Sequence, residues 1–314
     1  MLSMLKQVME VMDLLDSATV SGSDISELLI SRGLTDVKVR TMVGDSGCTD
    51  FIKIRVPGTK GRSVGGDART IGIVGRLGGI GARPERIGLV SDADGAITAI
   101  SVALKIADMK KNGDHLQGDV ILATHICPCA PVKPHKPVPF MGSPVNMATM
   151  NSEEVDKEMD AILSIDTTKG NRVANWSGFA ITPTAKEGWV LKVSDSLLDI
   201  MEWVTGKAPR VCPITTQDIT PYGNNLHHIN SIMQPTIATD KPVVGVAITT
   251  EVPVPGCGTG ASHPMDIEVA ARFTLEVAKA FGEGSCSFYD EDEWDNIKMR
   301  YGALRKLQTL GGVG

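Results

Sequence analysis

The chain has 314 residues, a hydrophobic fraction of 42% and a formal net charge of -6, enough apolar material for one large core or two modest ones. Its acids and bases are interspersed with no basic face, which argues against a nucleic-acid partner, and no apolar run approaches the roughly 20 residues that span a bilayer. Six cysteines without a repeating framework point to free thiols in a reducing cytoplasm.

MLSMLKQVMEVMDLLDSA spaces its apolar residues helically and lacks a cleavage-site pattern, so an amphipathic first helix is expected rather than a signal. SGSDISELLISRG reads as a second helix, with Asp24 and Glu27 as a capping pair and Gly33 as its stop. The period then changes. Residues 51 to 58, FIKIRVPG, alternate as a strand ending in a Pro-Gly turn, and residues 70 to 77, TIGIVGRL, are a second short apolar run. From IGLVSDADG to ATHIC the order is strand, acidic turn, long helix, polar loop and strand, one βαβ unit. The Pro-rich stretch from Pro128 to Pro144 is expected to be a long ordered loop. SEEVDKEMD has a helical signature and AILSIDTTKG is a strand ending in an acid; GWVLKV and KPVVGVAI are further strands, DSLLDIMEWVTG and MDIEVAARFTLEVAKAFG further helices. Alternating strands and helices predict an α/β fold with a mainly parallel sheet covered on both faces. The expected organisation is a single domain over residues 1 to 314, with helices of residues 1 to 35 packed on the core and a helical tail over residues 285 to 314.

Ligands of open α/β sheets bind outside the carboxyl ends of the strands. The segments GRLGG, SDADG, THICPC, IDTTKG and GCGTGASHPMD therefore supply the candidates Arg76, Asp92, Asp94, His125, Cys127, Cys129, Asp166 and His263. Asp92 and Asp94 begin a helix, where a cap or a favourable dipole explains one of them without a function. Asp166 closes an apolar strand, where a buried carboxylate needs a hydrogen bond, a cation or a metal. His125, Cys127 and Cys129 would share one side of an extended strand. They suit zinc or a Cys-His nucleophile, with His125, His135 or His263 as the activating base, although a small buried thiol explains Cys127 equally well. The glycine-rich run that contains Arg76, Arg83 and Arg86 matches neither a dinucleotide fingerprint nor a P-loop, and tight turns account for it. His227 and His228 sit in a polar loop and are candidates for substrate contact.

Together GRLGGIGARPERIGLVSDADGAI, GDVILATHICP, PHKPVPFMGSPV, ILSIDTTKGNRV and QDITPYGNN closely resemble a bacterial and archaeal family of unknown function over nearly the whole chain. More distantly, SDADGAITAISVAL followed by GDVILATHICPC is similar to the zinc aminopeptidase superfamily, including leucyl and glutamyl aminopeptidases. That resemblance implies a three-layer α/β/α, zinc-exopeptidase-like (phosphorylase/hydrolase-like) fold with a mixed, mostly parallel central sheet, and a homo-oligomer. It places Asp92 on the bridging aspartate, Asp166 on the strand-end metal aspartate and His263 on the final histidine ligand. The superfamily's H-x-D element falls instead near Arg76 and Gly78, and its glutamate pair at Pro128 and Cys129. Proline is no general base, so the usual proton acceptor is gone. The gap from Arg76 to Asp92 has no room for the inserted domain of the dodecameric members, so the resemblance is to the catalytic core.

The leading expectation is a cytoplasmic, hydrolase-like protein acting on or binding a small amide, peptide or lactam. Its site would be Asp92, Cys129, Asp166 and His263, around one zinc, with Arg76 for charge or carboxylate recognition, His125 as acid or base, and His227 and His228 at the substrate loop. The alternative is a metal-free small-molecule binding or regulatory protein in which Arg76 satisfies Asp92 and Asp166. A third reading is a thiol enzyme using Cys127 or Cys129.

Overall fold

The computed structural model describes residues 3–17, 19–76, 89–127, 130, 132–134, 140–254 and 262–312. The segment 77–88, with Gly78, Arg83 and Arg86, and the residues Pro128, Cys129 and His135 lie outside the described residues.

Two helices open the chain, α1 (Leu5–Leu15) and α2 (Gly22–Ser31). The α2 start is a reciprocal cap of Ser21 with Asp24, not the expected Asp24 and Glu27, because Ser21 holds the extended conformation that lets it cap. A hairpin follows, β1 (Asp36–Gly44) and β2 (Gly47–Val56), then β3 (Ile71–Gly75), α3 (Asp94–Lys111) and β4 (Val120–Ile126). Next come the short β5 (Val132–Lys133) and β6 (Phe140–Met141), α4 (Met147–Glu154), β7 (Ala161–Thr168) and β8 (Gly178–Ile181). The last third holds β9 (Ala185–Lys186), β10 (Trp189–Val190), α5 (Asp195–Thr205), β11 (Val243–Thr249), α6 (Pro264–Glu283) and α7 (Glu291–Tyr301).

Among the described residues the main sheet has nine strands in the order β1-β2-β4-β3-β7-β11-β9-β10, with β8 also on β11. Its centre, β4-β3-β7-β11, is parallel, and the flanks are antiparallel. β3, β4 and β11 are buried along their whole length and largely apolar because both faces are covered. Alternate residues divide cleanly between the faces. Ile73, Leu122, Leu163 and Val246 face a core built with α3 and α6, with α1 outside these helices and α2 packed beside α3 on the β1–β2 hairpin. Val74, Ile121, Ile162 and Ala247 face a thinner layer made by α4 and the 3-10 segment Ser231–Ala238. The result is a mixed, largely parallel α/β/α arrangement: the alternation of elements predicts the covered, mainly parallel sheet, and the aminopeptidase resemblance implies the mixed three-layer form.

Three local expectations need correction. Strand β1 was not anticipated, because as an edge strand it carries Lys38 and Arg40 and exposes much of its length, which hides the apolar alternation. SEEVDKEMD is helical only to Glu154; Asn146 starts that helix by accepting from Thr149 N at 2.9 Å, and Val155 is already extended. GWVLKV pairs only over Trp189–Val190, since β9 and β10 form a two-residue hairpin at the sheet margin.

The carboxyl ends of β3, β4 and β7 converge on the N-terminus of α3. Arg76 N donates to Ile165 O at 2.7 Å, locking the exit of β3 to β7. Gly95 lies directly against this junction, where any Cβ would collide with the Arg76 and Ile165 carbonyls. The close approach holds Asp92 and Asp94 at the mouth of the sheet.

Candidate functional site

The period-2 alternation of the strands decides which side chains meet. Arg76 continues the face of Val74, His125 that of Ile121, and Asp166 that of Ile162, so all three point into the layer of α4 and the Ser231–Ala238 segment. Asp92 joins them from the single 3-10 turn Ser91–Ala93.

Arg76 is 1% exposed and its charge is met by Glu154, the last residue of α4, which is fully buried. Nε donates to Glu154 Oε2 at 2.7 Å, a second arm donates to Asn151 Oδ1, and Nη1 rests 3.1 Å from Met147 Sδ. The other carboxylate oxygen, Glu154 Oε1, lies 2.7 Å from His125 Nδ1. Burial alone pushes the Glu154 carboxyl up, but Arg76 and His125 outweigh it and hold it below its ordinary value. Among the described residues the hydrogen bonds of Arg76 go to Glu154, Asn151 and Met147, while its charge also draws the Asp166 carboxyl down. Glu154 is not among the sequence candidates, since in SEEVDKEMD it is one acid of a helical signature; it is the last residue of α4, with Val155 already extended.

Asp166 is equally buried and behaves oppositely. Desolvation pushes its carboxyl to about 7, and Asp92 adds repulsion, against the opposing pull of the Thr167 amide, Arg76 and Ser231. Thr167 N donates to Oδ1 at 2.7 Å and Ser231 Oγ to Oδ2 at 3.2 Å. Beside it opens a cleft of about 460 Å³, bounded by Arg76, Asp166, Tyr222 and Ser231 on one side and by the β1–β2 turn and residues 142–147 on the other.

Asp94, one helical position inside α3, has a structural partner. Lys169 Nζ lies 3.2 Å from its Oδ2 and Ser262 donates to Oδ1 at 2.5 Å. Burial raises the Asp94 carboxyl, while Lys169, Ser262 and then His263 pull it down. His263 is exposed at the start of α6, beside Asp266, whose carboxyl burial raises against the opposing pull of His263. Lys169 was legible as the basic residue of IDTTKG but had not been singled out.

His125 is 2% exposed, tilted against Phe51 at 5.4 Å between ring centroids, so its orientation is fixed by Glu154 and by packing. Cys127 is buried and donates to the Cys48 carbonyl at 3.4 Å; Cys129, its partner in the thiol reading, lies outside the described residues. His227 is exposed. His228 shapes the loop instead, with Nε2 2.9 Å from Thr220 O, Nδ1 3.1 Å from Leu226 O, and its ring edge-on to Tyr222 at 4.7 Å. It reaches the cleft only through Tyr222.

Among the described residues no group of three or more His, Cys, Asp or Glu side chains is placed to hold a metal ion. Asp92 and Asp166 come together, whereas His263 exerts its charge on Asp94 and Asp266, and Cys129 lies outside the described residues. The two carboxylates alone suit a hard divalent ion in charge and donor type better than they suit zinc. No described helix is long and apolar enough to cross a membrane.

A solved structure described as the bottromycin maturation enzyme BotP in complex with Mn is similar over 88% of this chain and 71% of that one, with a TM-score of 0.51 and 14% sequence identity. At that identity the likeness is one of fold. No curated protein matches the chain. The family model described as "Protein of unknown function (DUF1177)" matches residues 40–311, and the chain belongs to that family.

Proposed function

We propose that this chain is a hydrolase-like protein that takes a small amide or short peptide into the cleft beside Arg76, with Asp166 and Asp92 as its working carboxylates. The observation that carries the reading is the meeting of these two acids at the carboxyl ends of the parallel strands, one buried and near neutrality, beside a cleft of ligand size. The likeness in fold to a manganese-bound maturation enzyme supports it.

In this reading Arg76 Nη1, which among the described residues meets the Met147 thioether, hydrogen-bonds a carboxylate or carbonyl of the ligand. Glu154 and His125 act on the ligand only through Arg76, by holding the guanidinium in place. In the absence of a metal, Asp166 donates or accepts a proton at Oδ2, oriented by Ser231; with a metal bound it is an ionised ligand instead. Asp92 and Asp166 would hold one divalent ion, which when bound supplies carbonyl polarisation and a more acidic water. A cytoplasmic, homo-oligomeric protein remains part of the proposal; the small number of cysteines and their lack of a repeating framework support the compartment.

The metal-free binding reading is favoured by one feature, the completeness of the Arg76–Glu154–His125 network, which supplies a fixed cation without a metal. Elemental analysis of protein purified without chelator, with a dipeptide and lactam hydrolysis screen in manganese, zinc or chelator, separates the two. Chelator-sensitive turnover that Asp166→Asn and Asp92→Asn both abolish is expected. A metal-free protein that hydrolyses nothing, yet binds a ligand with Asp166→Asn unaffected, would overturn the hydrolase reading in favour of the binding one.

A further inference from the structure

At the opposite end of the sheet, the segments leading into β3, β7 and β11 meet the chain that follows α6 around a pocket of about 220 Å³. Four cations line it, Arg62, Arg69, Lys186 and Lys241, against two carboxylates, Asp160 and Glu291. The lining is therefore net positive in a chain whose net charge is -6. Asp160 is already committed, pairing with Arg62 at 2.9 Å and Lys241 at 3.6 Å and accepting from Thr70 N at 2.9 Å.

Arg69 and Lys186 are held differently. The Arg69 guanidinium lies 4.6 Å above the Phe281 ring centroid, and among the described residues its hydrogen bond goes to Cys286 O, long at 3.4 Å. Lys186 is 9% exposed, its ammonium 5.3 Å and 5.1 Å from the ring centroids of Tyr289 and Trp294. It donates to Asp240 O at 3.0 Å, while its nearest carboxylate, Glu187 at 3.6 Å, is shared with Lys298 and Arg305. Two cations, Lys186 buried and Arg69 half-buried, thus stand against aromatic rings with donors to spare. An incoming anion meets a guanidinium fork and a point charge together, the pairing that suits a phosphoryl group.

We propose that this pocket is a second binding site, for a phosphate-type oxyanion, free or carried on a small metabolite, gripped by Arg69 and Lys186 with Arg62 and Lys241 at its rim. It lies roughly 20 Å from the cleft, the length of a central strand, and does not depend on the amide reading.

Calorimetric titration of the full chain at low ionic strength, with inorganic phosphate and separately with glycerol phosphate, tests the site. Saturable binding is expected. Phosphate binding as well as glycerol phosphate marks a free anion as the natural ligand; tighter glycerol phosphate binding marks a phosphorylated metabolite. Arg69→Gln is expected to weaken binding roughly tenfold or more, Lys241→Gln less, and Lys38→Gln, at the far sheet edge, not at all. Lys186→Met should match Arg69→Gln provided that it still melts cooperatively; where it does not, Arg69→Gln and Lys241→Gln carry the test. No saturable binding of either probe, or wild-type affinity in Arg69→Gln, overturns the proposal.

Discussion

Glu154 and Asp166 are both buried carboxyls on the same face of one sheet, yet their surroundings drive them apart. Glu154 sits between a guanidinium and an imidazole and is held ionised; Asp166 has a hydroxyl, an amide and a repelling aspartate beside it and is pushed to about 7. Burial is the largest influence on both, so it does not distinguish them; the neighbours' charges do. The difference teaches which acid is architecture and which is chemistry. A carboxylate whose oxygens are spent on fixed cations is a counter-ion, whereas one near neutrality at a cleft is free to exchange a proton with a ligand.

The strongest way to break this comparison is Glu154→Ala. It strands the buried Arg76 charge and is expected to cost about 3–5 kcal/mol in urea unfolding; a loss below about 1 kcal/mol would mean that the Arg76–Glu154 pair does not anchor α4 to β3. Asp166→Asn should move stability the other way. The folded carboxyl holds its proton up to about 7, against an ordinary 3.8. The stability it contributes is therefore present below 3.8 and lost as pH rises to about 7. In chelator at pH 8 the asparagine variant should be more stable by roughly 1–4 kcal/mol, with a flatter profile over that window; an unchanged profile would return Asp166 to the class of ordinary acids. Glu154 has the opposite sign, its contribution being present above the unfolded carboxyl's value and lost as pH falls through its lowered one.

A double-mutant cycle sharpens the point further. Arg76→Met with Glu154→Leu should cost less than Glu154→Ala alone, with a coupling energy on the order of 2 kcal/mol between the two positions. Additive losses would show that the two side chains stabilise the site independently. The smallest effect is expected for His125→Gln, which keeps a donor near Glu154 and should cost roughly 1 kcal/mol while leaving Asp166 titration in place. Abolished ligand binding in that variant with unaltered stability would instead give His125 a direct part in the cleft.

Much of this arrangement was legible in the residues. Apolar runs ending in an arginine, a histidine or an acid located β3, β4 and β7, whereas the common face of Arg76, His125 and Asp166 emerged only once the strands were paired in register. The partners were not legible. Glu154 looked like any acid of SEEVDKEMD, and Arg76 was expected to serve the aspartates; which acid it meets depends on where α4 ends and how it lies across β2 and β4. The edge strand β1 was hidden for a related reason, since its pairing comes from β2 and its exposed charges mask the alternation.

By itself the sequence determined the α/β class, the identity of the central strands and the end of the sheet where the acids gather, because hydrophobic periodicity and strand-end polarity are local properties of the chain. Only the tertiary structure decided that Glu154 neutralises Arg76, that Lys169 claims Asp94 and that Asp166 is left near neutrality beside Asp92. Each of these depends on the distance between residues far apart in the chain, and charge interactions in a buried setting are set by that distance and by what water has been excluded.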